Sequence, residues 1–215
     1  MLSRIDYLKP TLKGKVLDIG CNDSPLHELI KKNCKNIDLW GIDVIIDKPS
    51  EKTVEASALQ MPFKNNEFDF LVAGEIIEHF NQNQAKKFLK ECRRVLKSNG
   101  ELIITTPNKG AWSNRLFHKF DKANAGARIF ADGKTFGEHG YHGHQKLYFI
   151  DELKKVLEQN EFNIMEFFCL PYTEESSPNQ FELIYAIRKI MHCFLSKKLQ
   201  EEIVIRAKKT PNCSK

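Results

Sequence analysis

The sequence predicts an α/β fold: a mostly parallel, doubly wound sheet with helices on both faces. Three observations carry this. Short apolar runs alternate with helical stretches, the pattern of consecutive βα units. Two of the runs, "KVLDIG" (15–20) and "FDFLVAG" (68–74), are strand-length and bounded by turn residues. Between them and the next strand, "NQAKKFLKECRRVLKSNG" (83–100) places Phe88, Leu89, Cys92, Val95 and Leu96 on one face at spacings of three and four.

The elements follow in order. "KVLDIG" is the first strand. A helix starts at Pro25, because Ser24 suits the N-cap and proline suits the first helical position, where its missing N–H costs nothing. "DLWGIDVI" (38–45) is the second strand, "TVEASA" (53–58) the third and "FDFLVAG" the fourth. The helix of 83–100 ends at Gly100 as its C-terminal cap, and "ELIITTP" (101–107) is the fifth strand. Residues 108–146 have no clean period, and so long a connection in a compact domain is usually functional. A helix at 151–160, capped by Asp151, leads to strand six at 162–170; a helix around 181–199 precedes a last strand at 201–208.

The bulk numbers set the frame. A chain of 215 residues, 41% hydrophobic and 28% charged, suits one globular domain spanning 1–215. No apolar run approaches ~18 residues, so no transmembrane helix is expected. The first residues lack the apolar stretch of a signal peptide, which gives a cytoplasmic expectation. The six cysteines form no CxxC pair and are expected to be reduced thiols. Of the net charge of +5, residues 188–215 hold eight Lys and Arg against two Glu, so the rest of the chain is near neutral. A neutral body disfavours a nucleic-acid partner. The stretch 181–199 carries Ile184, Ile187, Met191, Phe194 and Leu195 as one stripe edged by Arg188, Lys189, Lys197 and Lys198. Core packing is favoured there over contact with an anionic membrane.

In such sheets ligands bind beyond the carboxyl ends of the strands. The first loop reads "DIGCNDSP" (18–25), with Asn22 and Ser24 where a dinucleotide fingerprint wants glycine, and no GK[ST] phosphate loop occurs. Twenty-three residues after Gly20 stands Asp43, at the end of strand two, where a carboxylate can accept from both hydroxyls of a ribose. A ribose acid without a pyrophosphate loop suggests a nucleoside ligand without phosphates.

"VLDIGCND", "GIDV", "ASALQMPFKNNEFDFLVAGEIIEHF" and "KECRRVLKSNGELIITTPN" resemble, in order and spacing, the motifs of class I S-adenosylmethionine-dependent methyltransferases. The likeness is greatest to the small-molecule branch with the ubiquinone-type O-methyltransferases. It runs from about 13 to 108, the cofactor-binding core, with a weaker echo at "HQKLYFIDELKKVLEQNEFNIMEF". The resemblance implies a Rossmann-like sheet with an antiparallel last strand, S-adenosylmethionine as cofactor and S-adenosylhomocysteine as product. It also assigns roles. Asp18, Gly20, Cys21 and Asn22 would line the methionine end. Asp43 would hold the ribose, with Val44 beside the adenine. Ser57, Ala58 and Leu59 would flank the ring, Ala58 through its backbone N–H. Gly74 and Glu75 would lie beside the methionine moiety, with His79 one helical turn further on.

Four positions depart from the family pattern. The second and third loop glycines are Asn22 and Ser24; asparagine tolerates the left-handed backbone a glycine would adopt. Ser57 replaces an acid that would touch the adenine amine, and Glu161 replaces a glycine before Phe162.

The implied reaction is methyl transfer to an oxygen, less readily a nitrogen or carbon, of a small molecule such as a sugar, lipid or quinone-like intermediate. Residues 108–146 and 171–200 would shape the acceptor site. Trp112, Phe117 and Phe120 serve there either as lid packing or as substrate stacking. Histidine suits a general base near neutral pH, and "HGYHGH" (139–144) supplies three. His144 stands ahead of His142 and His139, because the family pattern has a histidine before an aromatic pair and a helix. The spacing of the three fits no standard zinc pattern, so no metal is expected. A non-catalytic binding subunit and an RNA methyltransferase remain the alternative classes.

Overall fold

The computed structural model describes residues 3–111, 144–170 and 200–210. His139, His142, Trp112, Phe117, Phe120 and the stretch 181–199 lie outside the described residues.

The described chain folds as α1 (Arg4–Thr11), β1 (Gly14–Ile19), α2 (Pro25–Asn33), β2 (Ile37–Asp43), β3 (Thr53–Glu55), β4 (Phe68–Gly74), a single 3₁₀ turn (Ile77–His79), α3 (Gln82–Val95), β5 (Leu96–Pro107), α4 (Ile150–Gln159), β6 (Phe162–Leu170) and β7 (Glu202–Lys209). The seven strands form one sheet in the order β3-β2-β1-β4-β5-β7-β6. Strands β1 to β5 pair in parallel, and β7 runs antiparallel between β5 and β6. The predicted mostly parallel sheet with an antiparallel closing strand is therefore present. The order reverses beside β1, whose neighbours are β2 and β4, and in sheets of this kind ligands bind beyond the carboxyl ends at such a switch point.

Alternation along each strand divides the core in two. On one face Leu17, Ile19, Leu71, Ala73, Leu102 and Ile104 pack with Phe88, Leu89 and Cys92 of α3 and Leu153 and Leu157 of α4. On the other, Val16, Phe70, Val72 and Ile103 pack with Leu8 of α1, Leu12 just after it, and Leu26 and Ile30 of α2. Cys21, Cys34, Cys92 and Cys169 are buried free thiols, as expected. Among the described residues no helix is long and apolar enough to cross a membrane.

Helix α2 begins as read, with Ser24 Oγ accepting from the His27 N–H and Pro25 in the first turn. Several boundaries differ. Helix α3 stops at Val95, and β5 begins at once with Leu96 beside Phe68. The register then shifts so that Phe70 faces Glu101, and Gly100 lies in this irregular stretch rather than capping a helix. A Cβ there would come 2.8 Å from Leu96 Cδ2 and 3.0 Å from the Phe68 carbonyl oxygen, so close backbone approach is what requires glycine. Strand β3 ends at Glu55, because Ser57 pulls the chain into a turn: its Oγ accepts from Leu59 N–H and its carbonyl from Gln60 N–H. The expected helix after strand four is one 3₁₀ turn. Asp151 lies inside the first turn of α4; the chain entry is fixed instead by Glu152, whose carboxylate accepts the Phe149 N–H at 3.0 Å. Helix α1 was not anticipated. Its signal is a capping box in which Ser3 and Asp6 each accept the other's backbone N–H.

Candidate active site at the carboxyl ends of β1, β2 and β4

The first loop is built around Gly20, whose φ of +82° is left-handed. A Cβ there would lie 2.3 Å from Ile76 Cδ1, so the loop and the chain after β4 touch at this point. The Gly20 and Cys21 N–H groups both donate to the Ile42 carbonyl, tying the loop to β2. Asp18 is buried, and one of its oxygens lies 2.9 Å from His27 Nδ1. Burial holds the Asp18 carboxyl above the ordinary carboxylate range, with His27 pulling the other way. Asp18 thus anchors the start of α2, and His27 is a partner that sequence reasoning missed. Its signal was position: the third residue of α2 faces back towards the strand end.

Asn22 does not adopt the left-handed backbone; Asp23 does, with φ 48°. Asn22 donates its N–H to Asp43 Oδ2 at 3.0 Å, and Val44 N–H donates to Asp43 Oδ1 at 2.7 Å. Val44 itself is 45% exposed, an apolar side chain standing open beside Asp43. Ser57, Ala58 and Leu59 form the turn after β3, with Ala56 N–H bonded to the Asp43 carbonyl. Ser57 Oγ is occupied within that turn, by the Leu59 N–H.

At the end of β4, a Cβ on Gly74 would come 3.0 Å from Leu26 and 3.8 Å from Arg4 Nη1. Glu75 is left-handed at φ 57°, a strained position for a residue with a side chain, and its N–H donates to the Thr105 carbonyl. Glu78 is buried, and its Oε2 accepts from Thr106 Oγ1 at 2.8 Å. Burial raises both Glu75 and Glu78 above the ordinary carboxylate range, and for Glu75 the neighbouring Glu78 charge adds to it. Arg4, buried at the start of α1, pairs with buried Glu202 of β7 at 3.4 Å and offsets part of this charge. Sequence reasoning missed Arg4 and Glu202, because nothing local marks two residues so far apart as partners.

His144 arrives here by backbone pairing. The Glu78 carbonyl accepts from Gln145 N–H at 2.8 Å and Lys146 N–H at 3.1 Å, which sets His144 against His79 with ring centroids 5.1 Å apart. Burial, and the neighbouring His79, push His144 down to about 4. One possible ligand atom each from Glu78, His79 and His144 lie within 4.8 Å of one another. Among the described residues, this trio has the geometry to share a cation.

A parallel switch point, an acid at the end of β2 and a glycine loop without a phosphate-binding fingerprint together suit a nucleoside ligand. The comparisons with known proteins specify it. Residues 17–104 match the family model described as a methyltransferase domain. The chain is 28% identical to a mitochondrial ubiquinone biosynthesis O-methyltransferase of Rattus norvegicus, over 73% of this chain and 46% of that one. It is 31% identical to an uncharacterised protein of Methanocaldococcus jannaschii, over 48% of each. The chain spans about half the length of the curated relatives it matches. Among solved structures, a SAM-dependent methyltransferase of Methanosarcina mazei superposes with a TM-score of 0.62 at 21% identity, over 97% of this chain and 98% of that one. A Burkholderia thailandensis N-methyltransferase, solved with S-adenosylhomocysteine bound, gives 0.57 at 12% identity, over 92% and 71%. Both share the fold. In its family-model match over residues 17–104, in its relatives and in its fold, the chain is similar to S-adenosylmethionine-dependent methyltransferases.

Proposed function

We propose that the protein transfers the cofactor's methyl group to an oxygen of a small-molecule acceptor, and that His144 takes the proton this oxygen loses. The observation that carries the reading is the docking of residues 144–146 on the Glu78 carbonyl, which brings His144 to the carboxyl end of β4 beside His79. The name of the rat relative, an O-methyltransferase, supports oxygen as the acceptor atom.

The cofactor would lie with its ribose at Asp43, its adenine against Val44 and the turn of Ser57, Ala58 and Leu59, and its methionine end over Gly20 and Gly74. Arg4 is the guanidinium suited to a carboxylate at that end. In the reaction the acceptor oxygen forms a bond to the methyl carbon, the sulfur–carbon bond breaks, and its electron pair returns to sulfur as the thioether. The donor is already activated, so alignment is the protein's main contribution, of order 7–11 kcal/mol. A hydroxyl that gains a methyl becomes strongly acidic as the bond forms. A neutral imidazole of lowered pKa suffices to receive that proton, and a general base adds roughly 10²–10⁴-fold.

The test is His144→Ala, assayed with labelled cofactor against a panel of hydroxylated aromatics. S-Adenosylhomocysteine binding should persist while turnover falls by about 10²-fold or more; full turnover would sink the role of His144. A second reading has its own observation, the close approach of Glu78, His79 and His144. A divalent cation held there would lower the pKa of a bound hydroxyl. Turnover abolished by chelator and restored by Mg²⁺ or Zn²⁺ would make His144 a ligand instead of a base.

A further inference from the structure

We propose that Asn22 and Asp47 form a clasp that positions the Asp43 carboxylate for the cofactor ribose. The inference rests on the placing of that ribose at Asp43. Three segments meet here: the loop after β1, the end of β2, and the loop from β2 to β3. The Asn22 side-chain amide bonds Asp47 in both directions. Its Nδ2 donates to Asp47 Oδ2 at 2.9 Å, and its Oδ1 accepts the Asp47 N–H at 3.0 Å. The Asn22 backbone N–H meanwhile donates to Asp43 Oδ2 at 3.0 Å.

The consequence is geometric. Asp43 has one backbone N–H on each carboxylate oxygen, from Asn22 and from Val44. These two donors fix the plane of the carboxylate that would meet the two ribose hydroxyls. The Val44 donor belongs to the neighbouring peptide and moves with Asp43. The Asn22 donor comes from a separate loop; Gly20 and Cys21 tie the root of that loop to Ile42, and the amide pair with Asp47 fixes it at Asn22 itself. Glycine, the family residue at position 22, could supply the N–H but not the clasp. Asn22 and Asp47 are thus positioning residues that act through Asp43.

The test exchanges the two polar groups. Asn22→Asp sets a carboxylate against the Asp47 carboxylate and removes the amide donor. Asn22→Asp with Asp47→Asn restores one carboxylate and one amide in swapped places. Each protein is titrated calorimetrically with S-adenosylhomocysteine and with its 2′-deoxy analogue, after a melt shows that it is folded. Wild type should favour the ribose form about tenfold, the worth of roughly one hydrogen bond to a charged acceptor. In Asn22→Asp that preference should shrink towards unity, with affinity for S-adenosylhomocysteine down about tenfold; the double variant should recover both. General damage to the fold would weaken both ligands alike and leave their ratio unchanged. An unchanged ratio in Asn22→Asp, or no recovery in the double variant, overturns the clasp alone. A wild type indifferent to the 2′-hydroxyl overturns the placing of the ribose at Asp43, and the clasp with it.

Discussion

Gly20→Ala is the perturbation whose effect the structure defines most fully. Two separate costs arise. The backbone at φ +82° disfavours any residue with a Cβ, by about 1–2 kcal/mol. The added Cβ would also stand 2.3 Å from Ile76 Cδ1 and 3.0 Å from Ile76 Cγ1. Ile76 is packed against the core, so its side chain yields only partly, at about 1–3 kcal/mol. The total is about 2–5 kcal/mol, and for a chain of this size each kcal/mol lowers Tm by roughly 2–4 °C. The alternative is for the loop to retreat, which spares the fold and opens the cofactor site. Scanning fluorimetry and calorimetry with S-adenosylhomocysteine read the two together: Tm, affinity or both must fall. Adding Ile76→Ala to Gly20→Ala, with Ile76→Ala as the reference, removes the overlap and leaves only the backbone cost, so a large share of the loss should return. A Gly20→Ala protein with wild-type Tm and wild-type affinity would refute the account of this loop.

Two further outcomes follow from positions away from the carboxyl ends of β1, β2 and β4. Glu161 is left-handed at φ 61°, and its side chain, mostly exposed, reaches Arg93 at 3.2 Å; Glu161→Gly should raise Tm by a few degrees, because about 1 kcal/mol of backbone strain outweighs an exposed ion pair, and a lower Tm would show that the pair dominates. Burial pushes the phenols of Tyr7, hydrogen-bonded to Glu166, and Tyr148 up to about 12, from an ordinary value near 10; their contribution to stability is intact below about pH 10 and is lost as pH rises through 12. Phenolate absorbance should therefore show Tyr7→Phe and Tyr148→Phe each deleting a late step, and a step deleted near pH 10 would contradict the burial of that ring.

What the sequence made legible was whatever is encoded locally. Ser24 and Pro25 announced α2, the period of α3 was plain, and Asp43 could be placed because a strand end is also a sequence boundary. The misses have a common physical cause, which is that a residue's reason lay in a distant neighbour. Gly100 reads as a helix cap but is glycine because Leu96 and the Phe68 carbonyl crowd it. Asp18 is read as lining the methionine end, and the partner the sequence did not mark is His27 on the next helix. Arg4 and Glu202 meet across nearly the whole chain. His144 was chosen from a run of three by a family pattern; what sets it beside His79 is a backbone bond to Glu78 that no pattern of side chains reveals.

The departures from the family pattern bear on whether the site is intact or degenerate. A site drifting out of use would leave its substituted polar atoms idle, because nothing would select for their pairing. Here each substitution in the cofactor half is engaged. Asn22 bonds Asp47 twice and Asp43 once, Ser24 caps α2, and Ser57 closes the turn after β3. Glu161 is different. It keeps a left-handed backbone, while its carbonyl accepts from Arg93 and from both the N–H and the hydroxyl of Thr210. That strain lies at the entry to β6, remote from β1, β2 and β4, and is held in place by the edge of the sheet. The substituted residues of the first loop and of the turn after β3 are each hydrogen-bonded, which supports the proposed methyl transfer over a binding subunit that has lost its chemistry.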